Sequence, residues 1–318
     1  MKLSQDQVQQ YMDDGFLVVE NVFSEEELRP VMDWFDTLVD DCAERLHAAG
    51  MIEDKHEGED TYTRLWSLER QWPGAAAFVT QRNSMGPALA SLWCSDKLLD
   101  MVEQFLGPDI VGHPISIFRS KTPDTALMTV PWHQDAGYFL EGGEDTLQPT
   151  AWIPFIDATQ ENGTLQIIRG SHKLRTVFPH RIEKDIGHPK SWYLYIADAD
   201  LPPGDRVVCE MPMGSVLWHQ NMIVHRSTEN LSDKVRWTCD LRYQRPGEPT
   251  GFPDETGLPP MRKADDPDYA LDWSEWVAHE AEGNQNYRRL TDDSFEYSAP
   301  DSPWLVRWEN YWAAEARN

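Results

Sequence analysis

The chain has 318 residues, with 28 Lys and Arg against 54 Asp and Glu, a net charge of −26 at pH 7. Binding nucleic acid or an anionic membrane needs a basic face to neutralise phosphates, so this balance argues against both. Hydrophobic residues at 40% and charged residues at 26% are near globular averages, and a chain of this length can bury a large core, which excludes wholesale disorder.

The first element is a short helix. Ser4 and Gln7 form a capping box, the helix ends near Asp14-Gly15, and Phe16 to Glu20 then reads as a strand. Ser24 with Glu27 opens a longer amphipathic helix through Met32, Phe35, Val39 and Cys42 to Leu46, closed by Gly50. A further helical pattern is expected over 88–105, ahead of Gly107-Pro108.

From about Ile110 the texture changes to short β-like runs separated by Gly, Pro, Asn and Asp: 115–119, 128–135, 150–156, 164–168, 206–210, 216–219, 222–226 and 234–245. Short strands without intervening helices predict an antiparallel sandwich or barrel. In the last run Val235, Trp237, Cys239, Leu241 and Tyr243 alternate with Arg236, Thr238, Asp240 and Arg242, so one face is apolar and the other polar. A Pro-, Gly- and Asp-rich stretch follows Pro246. Ser302-Pro303 then opens a last helix whose Trp304, Trp308 and Trp312 form a docking face for the core. The simplest organisation is a single domain over 1–318: helical support at 1–109, a β core at 110–245 and an extension at 246–318.

No apolar run follows Lys2, no stretch approaches the roughly 18 apolar residues of a membrane span, and Cys42, Cys94, Cys209 and Cys239 form no C-x-x-C pair. A reduced, soluble, cytoplasmic protein is expected, monomeric or homodimeric, acting on a small molecule.

Chance alone supplies about one or two His-x-acid matches in a chain this rich in acids, so His133-Gln134-Asp135 draws its value from context. It falls at the end of an expected strand, where residues i and i+2 share a face and can hold one ion. His225, between two short strands, is the third candidate. Two imidazoles and one carboxylate leave adjacent metal positions open, the ligand set of non-haem Fe(II) oxygenases. Arg236, eleven residues after His225, could clamp a carboxylate bidentately while Ser227 adds a hydrogen bond, demands that a dicarboxylate co-substrate fits.

The order Gly214…His225-x-Ser227…Arg236, preceded by His133-x-Asp135, by Trp152-Ile-Pro…Asn162-Gly-Thr and by Tyr11-x-x-x-Gly15-Phe, resembles the phytanoyl-CoA dioxygenase family of Fe(II)- and 2-oxoglutarate-dependent oxygenases. The resemblance covers roughly Leu3 to Arg245. It implies a mainly β fold with helical decoration: a double-stranded β-helix, the distorted, cupin-like jelly roll, braced by amino-terminal helices. It implies His133, Asp135 and His225 as iron ligands, Arg236 and Ser227 on the distal carboxylate of 2-oxoglutarate, Trp152 near that co-substrate, and Gln134 in reach of either substrate. The implied activity uses Fe(II), 2-oxoglutarate and O2 to hydroxylate a small molecule, releasing succinate and CO2. An intact Asp135 implies hydroxylation or another oxidation, because related halogenases have a small residue there. The family often has an acidic residue or His five positions before the distal ligand; here that place is Gln220, and His219 beside it reads as a hydrogen-bonded structural histidine.

Two other classes fit parts of the pattern. A non-catalytic jelly-roll binding protein makes the triad incidental, and a zinc hydrolase gives Arg236 and Ser227 no task. For the substrate, the acidic, Gly-rich segment Gly137–Asp145 reads as a lid or a solvated loop, Arg119 and Lys121 could meet an anionic group, and Trp192, Tyr193 and Tyr195 could form an aromatic wall. Acyl-CoA is disfavoured by the surface charge unless a local basic patch intervenes.

Overall fold

The computed structural model describes residues 1–82, 85–123, 129–140, 142–182, 194–252, 258–266, 268–273 and 303–317. Ser4 caps helix α1, Gln5–Asp14: its hydroxyl accepts from Gln7 N while Gln7 Oε1 accepts from Ser4 N. Gly15 ends the helix at φ 82°, in the left-handed region that suits glycine. It also lacks room for a side chain, since a Cβ there would lie 2.3 Å from Nδ1 of His172. Strand β1, Phe16–Val19, follows, and a second reciprocal cap, Ser24 with Glu27, starts α2, Glu25–Ala48.

Helices α3, Arg64–Gln71, and α4, Ala75–Arg82, come next. The pattern expected as one helix over 88–105 is two, α5, Pro87–Trp93, and α6, Asp96–Leu106. Ser95, at the N-cap position of α6, takes extended backbone and makes no side-chain capping hydrogen bond, and this breaks the run. The apolar periodicity crosses the break because Leu89, Leu92 and Trp93 enter the same core as Leu98, Leu99 and Val102.

The strands are β2, Ile110–Gly112; β3, Ile117–Lys121; β4, Pro149–Pro154; β5, Leu165–Ile168; β6, Arg181–Ile182; β7, Leu194–Tyr195; β8, Arg206–Val208; β9, Val216–Gln220; β10, His225–Ser227; β11, Arg236–Gln244; and β12, Pro260–Arg262. The large sheet runs β1-β9-β4-β11-β2-β12, with β3 also paired to β11. A second sheet runs β10-β5-β8, and β6 pairs with β7. All these pairings are antiparallel. The large and second sheets enclose a cavity in the manner of a jelly roll.

The alternation along β11 decides what that cavity contains. Val235, Trp237, Cys239, Leu241 and Tyr243 enter the main core, which the helices cover; Phe35 of α2 stacks on Trp237 with ring centroids 4.5 Å apart. Arg236, Thr238, Asp240 and Arg242 point the other way and line the cavity. A sheet backed by helices on one side thus presents a row of polar side chains on the other.

Two differences from the expected strands bear on the site. No strand occupies 129–135. Instead His133 makes an isolated antiparallel bridge with His225, each N–H donating to the other's carbonyl at 2.9 Å, and Asp135 opens a 3-10 turn, Asp135–Tyr138. Met128 lies outside the described residues. The last helix, α7, Pro303–Glu315, docks as expected: Trp308 is buried and donates from Nε1 to Gly137 O at 2.8 Å, and Trp312 Nε1 donates to His180 O at 2.7 Å. Ser302, the Trp304 side chain and most of the Pro-, Gly- and Asp-rich stretch lie outside the described residues.

Candidate metal centre and co-substrate site

His133, Asp135 and His225 are buried, and each offers one ligand atom within 4.8 Å of the other two. Asp135 Oδ1 lies 3.6 Å from Nε2 of His133 and 3.9 Å from Nε2 of His225. Nδ1 of His133 is 2.9 Å from Pro131 O, and Nδ1 of His225 is 3.1 Å from Ile223 O. A carbonyl only accepts, so each Nδ1 carries the proton and each Nε2 turns a lone pair to the shared centre. Two imidazoles and one carboxylate oxygen can hold a divalent metal and leave positions open for other ligands.

The second carboxylate oxygen, Asp135 Oδ2, accepts from Nε and Nη2 of Arg242 at 3.1 and 2.9 Å. Burial pushes the Asp135 carboxyl up, but the Arg242 charge outweighs it and holds the group well below the usual carboxylate range. Burial, reinforced by His133 and His219, pushes the His225 imidazole well below its ordinary value. An anionic carboxylate and a neutral imidazole are the forms that bind metal. Sequence reasoning missed Arg242, although its place on the polar face of β11 was available as a signal.

At the other end of the cavity Arg236 is buried. Its Nε donates to Asn162 O at 3.1 Å, and its guanidinium lies over the Trp152 ring, 5.2 Å from the centroid. Its Nη1 is buried with no hydrogen-bond partner, an orphan donor that a ligand carboxylate satisfies. Ser227 Oγ accepts from Lys121 Nζ at 2.7 Å and from Val130 N at 3.0 Å, so its own proton is left to donate. The donors therefore fit a carboxylate, and with the His/Asp cluster they fit Fe(II) and 2-oxoglutarate together. The Asn162-Gly163 turn that offers its carbonyl to Arg236 needs glycine: Gly163 has φ 81°, and a Cβ there would lie 2.5 Å from Thr228 O.

The remaining expectations divide. Trp152, Ser227 and Arg236 line one cavity with the three metal-ligating candidates. Gln134 does not line it. Its amide donates to Thr176 O and Met222 O and accepts from Phe178 N, so this side chain ties loops together and is saturated, a correction to its expected contact with either substrate. Lys121 sits behind Ser227 and also donates to Thr228 O. His219 lines the cavity with its ring centroid 4.7 Å from that of His225, and its Nδ1 is buried without a hydrogen-bond partner. Neighbouring Gln220 donates to Tyr11 O.

Among the described residues, the segment after the ligands is packed against the rest of the protein at Phe139 and Leu140. Phe139 is buried between His113 and Phe252, Leu140 N donates to Gly251 O, and Arg307 of α7 donates to Phe139 O. Glu141, Trp192 and Tyr193 lie outside the described residues, while Tyr195 is half-buried on β7.

A jelly roll with a His-x-Asp…His cluster at one end of its cavity and a buried Arg-Ser pair at the other defines the class of non-haem iron oxygenases that use a 2-oxo acid. The family model of phytanoyl-CoA dioxygenase matches residues 11–238. A probable alpha-ketoglutarate-dependent hypophosphite dioxygenase of Stutzerimonas stutzeri is 30% identical over 237 residues, 71% of this chain and 73% of that protein. The peroxisomal phytanoyl-CoA dioxygenase of Rattus norvegicus is 26% identical over 247 residues, 76% and 68% of the two chains. Among solved structures, the apo form of the non-heme monooxygenase ThoJ shares the fold with a TM-score of 0.54 at 20% identity, covering 98% of this chain and 95% of its own. The chain belongs to the phytanoyl-CoA dioxygenase family and is a non-haem Fe(II)- and 2-oxoglutarate-dependent dioxygenase. No described helix is long and apolar enough to cross a membrane.

Proposed function

We propose that the protein hydroxylates an unactivated C–H bond of a small molecule, with His133, Asp135 and His225 binding Fe(II), and Arg236 and Ser227 binding the distal carboxylate of 2-oxoglutarate. The observation that carries this is the unpartnered, buried Nη1 of Arg236 in the same cavity as the His/Asp cluster. When bound, Fe(II) supplies the activation of dioxygen. The balance is that of the class: 2-oxoglutarate, O2 and R–H give succinate, CO2 and R–OH, with one oxygen atom entering succinate and the other the product.

The chain's own residues bind and orient. Pro131 O and Ile223 O fix the imidazole tautomers, and Arg242 fixes the carboxylate. Trp152 covers the Arg236 guanidinium and keeps water from the ion pair that the co-substrate forms there. Residues 1–318 act as one catalytic domain on this reading. The four free cysteines support a reducing, cytoplasmic setting, and the oligomeric state, monomer or homodimer, is a matter for sedimentation.

The test is anaerobic titration of the apo-protein with Fe(II) and 2-oxoglutarate, reading the visible metal-to-ligand charge-transfer band. A saturable band, lost in His133→Ala, is expected. A folded protein that binds metal but gives no band overturns the assignment.

A further inference from the structure

We propose that His180 is a positioning residue for the metal centre: its imidazole holds the peptide that joins His133 to Gln134, and with it the relative aim of His133 and Asp135. This rests on the metal-binding part of the reading above and adds a residue that does not line the cavity.

The need for such a residue comes from the backbone. In a strand, ligands at i and i+2 keep a fixed relation because the ladder on either side holds each peptide. Here the ladder is a single bridge, between His133 and His225, and the chain then enters the 3-10 turn that Asp135 opens. Gln134, between the two ligand residues, is extended at φ −114° and ψ 141°. The peptide from His133 to Gln134 is held at both ends: its carbonyl accepts from His225 N at 2.9 Å, and its N–H donates to His180 Nε2 at 3.1 Å. The first contact ties it to the third ligand residue, and the second stands where a neighbouring strand would supply a ladder bond. Turning this peptide moves Asp135 against His133, and metal sites need their ligands held within roughly 0.5 Å.

His180 is equipped for that contact. Its ring is fully buried, and its Nδ1 lies 2.7 Å from Phe178 O. A carbonyl only accepts, so Nδ1 carries the proton and Nε2 offers a lone pair to the Gln134 N–H. An apolar side chain could fill the same space, but it would leave that N–H buried without an acceptor. The same loop also takes the Gln134 side chain, whose amide donates to Thr176 O at 3.0 Å and accepts from Phe178 N at 2.8 Å. Helix α7 then fixes the loop from outside. The Trp308 ring lies beside that of His180, with centroids 5.0 Å apart, and Trp312 Nε1 donates to His180 O at 2.7 Å. This helix lies beyond residues 11–238, so the support of His180 comes from outside the span of the family match.

The experiment uses the full chain, anaerobic and metal-free, titrated by calorimetry with Fe(II) and separately with Co(II), whose ligand-field absorption reports the geometry of the site. His180→Gln keeps an acceptor oxygen at the ε position, whereas His180→Asn ends one atom short and keeps only the δ contact to Phe178 O. Both lose the ring beside Trp308, so both are expected to unfold at lower urea than the wild type, by similar amounts. Fe(II) affinity is expected to separate them: about 10- to 100-fold weaker in His180→Asn, the usual effect of losing an outer-shell partner, and within about threefold of the wild type in His180→Gln. The Co(II) spectrum is expected to change in His180→Asn alone. Wild-type affinity and spectrum in His180→Asn, or equal weakening in both variants, overturns the proposal. Where a His180 variant does not fold, Trp312→Phe takes its place, since it keeps an aromatic ring beside Arg181 and removes the donor to His180 O. Weaker Fe(II) binding with an altered Co(II) spectrum is expected of it, and no change in either overturns the proposal. Wild-type protein is also read with Fe(II) and 2-oxoglutarate for the charge-transfer band. If Fe(II) binds and His133→Ala abolishes the binding, yet no band forms, the oxygenase reading fails while the affinities still decide the role of His180. A wild type that binds no metal overturns both.

Discussion

Both Nε and Nη2 of Arg242 bond the same oxygen of Asp135, Oδ2, which leaves Oδ1 turned to Nε2 of His133 and His225. The two residues are 107 apart in sequence, and the contact is what aims the carboxylate. Replacing Arg242 by Met removes the aim and leaves a buried carboxylate without its cation. Metal affinity is expected to fall about 10- to 100-fold, the usual effect of losing an outer-shell partner. The apo-protein is expected to lose about 3–5 kcal/mol of stability, because an uncompensated buried charge is left behind. Anaerobic Fe(II) titration and urea unfolding of the metal-free protein measure the two effects separately, and an unchanged Fe(II) affinity contradicts the assigned role.

This contact also marks where the sequence stopped being informative. His133-x-Asp135 was legible as a pair, but on the argument that a strand turns i and i+2 to one face. Asp135 is instead the first residue of a 3-10 turn, and a distant arginine orients it. The alternation of Arg236, Thr238, Asp240 and Arg242 with Trp237, Cys239 and Leu241 was legible because a strand between a helix-covered core and a polar cavity must show it. Gln134 was misjudged for the complementary reason. Nothing local shows that its amide meets three backbone groups contributed by residues 176, 178 and 222.

Arg236 makes a second prediction. Its buried Nη1 has no hydrogen-bond partner, and on the proposed reading the distal carboxylate of 2-oxoglutarate supplies one. A hydrogen bond to a charged group contributes about 1.5–3 kcal/mol, so Arg236→Gln is expected to raise the KM for 2-oxoglutarate by about 10- to 150-fold. Fe(II) affinity in the absence of co-substrate should change little, since Arg236 does not touch the metal cluster. Succinate release against 2-oxoglutarate concentration reads the first effect, and a KM equal to that of the wild type would place the distal carboxylate elsewhere.

Asp135 itself can be tested by turnover. Asp135→Ala removes the only carboxylate of the cluster together with the charge that Arg242 compensates. Succinate formation is expected to be abolished, and a variant with full turnover is incompatible with the proposed triad.

Helix α7 belongs to the support of the site. Trp308 is buried beside His180 and donates to the carbonyl of Gly137, two residues beyond Asp135. Gly137 admits this packing because it has no side chain: a Cβ there would lie 2.5 Å from Nε2 of His180. Trp308→Phe keeps most of the burial and loses the hydrogen bond, an expected cost of about 1 kcal/mol. Trp308→Ala also opens a cavity and is expected to cost about 3–5 kcal/mol. Chemical denaturation ranks the two variants, and equal stability of Trp308→Ala and wild type shows that α7 does not dock in solution.

The buried histidines outside the metal cluster set the response to acid. Nε2 of His113 is 3.0 Å from Thr250 O, while its Nδ1 accepts from Ile115 N at 3.2 Å. Nδ1 of His180 is 2.7 Å from Phe178 O, while its Nε2 accepts from Gln134 N at 3.1 Å. Each ring donates once and accepts once, so a second proton would face an N–H donor. Burial accordingly pushes both imidazoles down to about 3. The unfolded chain takes up these protons near the ordinary histidine value of about 6.5, whereas the folded one does not until about pH 3. Between those limits the unfolded state binds more protons, so stability falls as pH falls. Well inside the window each histidine contributes a slope of about 1.4 kcal/mol per pH unit. His113→Gln keeps one donor and one acceptor but cannot titrate. Urea unfolding at a series of pH values from 7 down to 4.5 is expected to show a flatter acid slope for this variant than for wild type, by about the share of one histidine. Parallel slopes would mean that His113 is protonated in the folded protein, against the hydrogen bonds it makes.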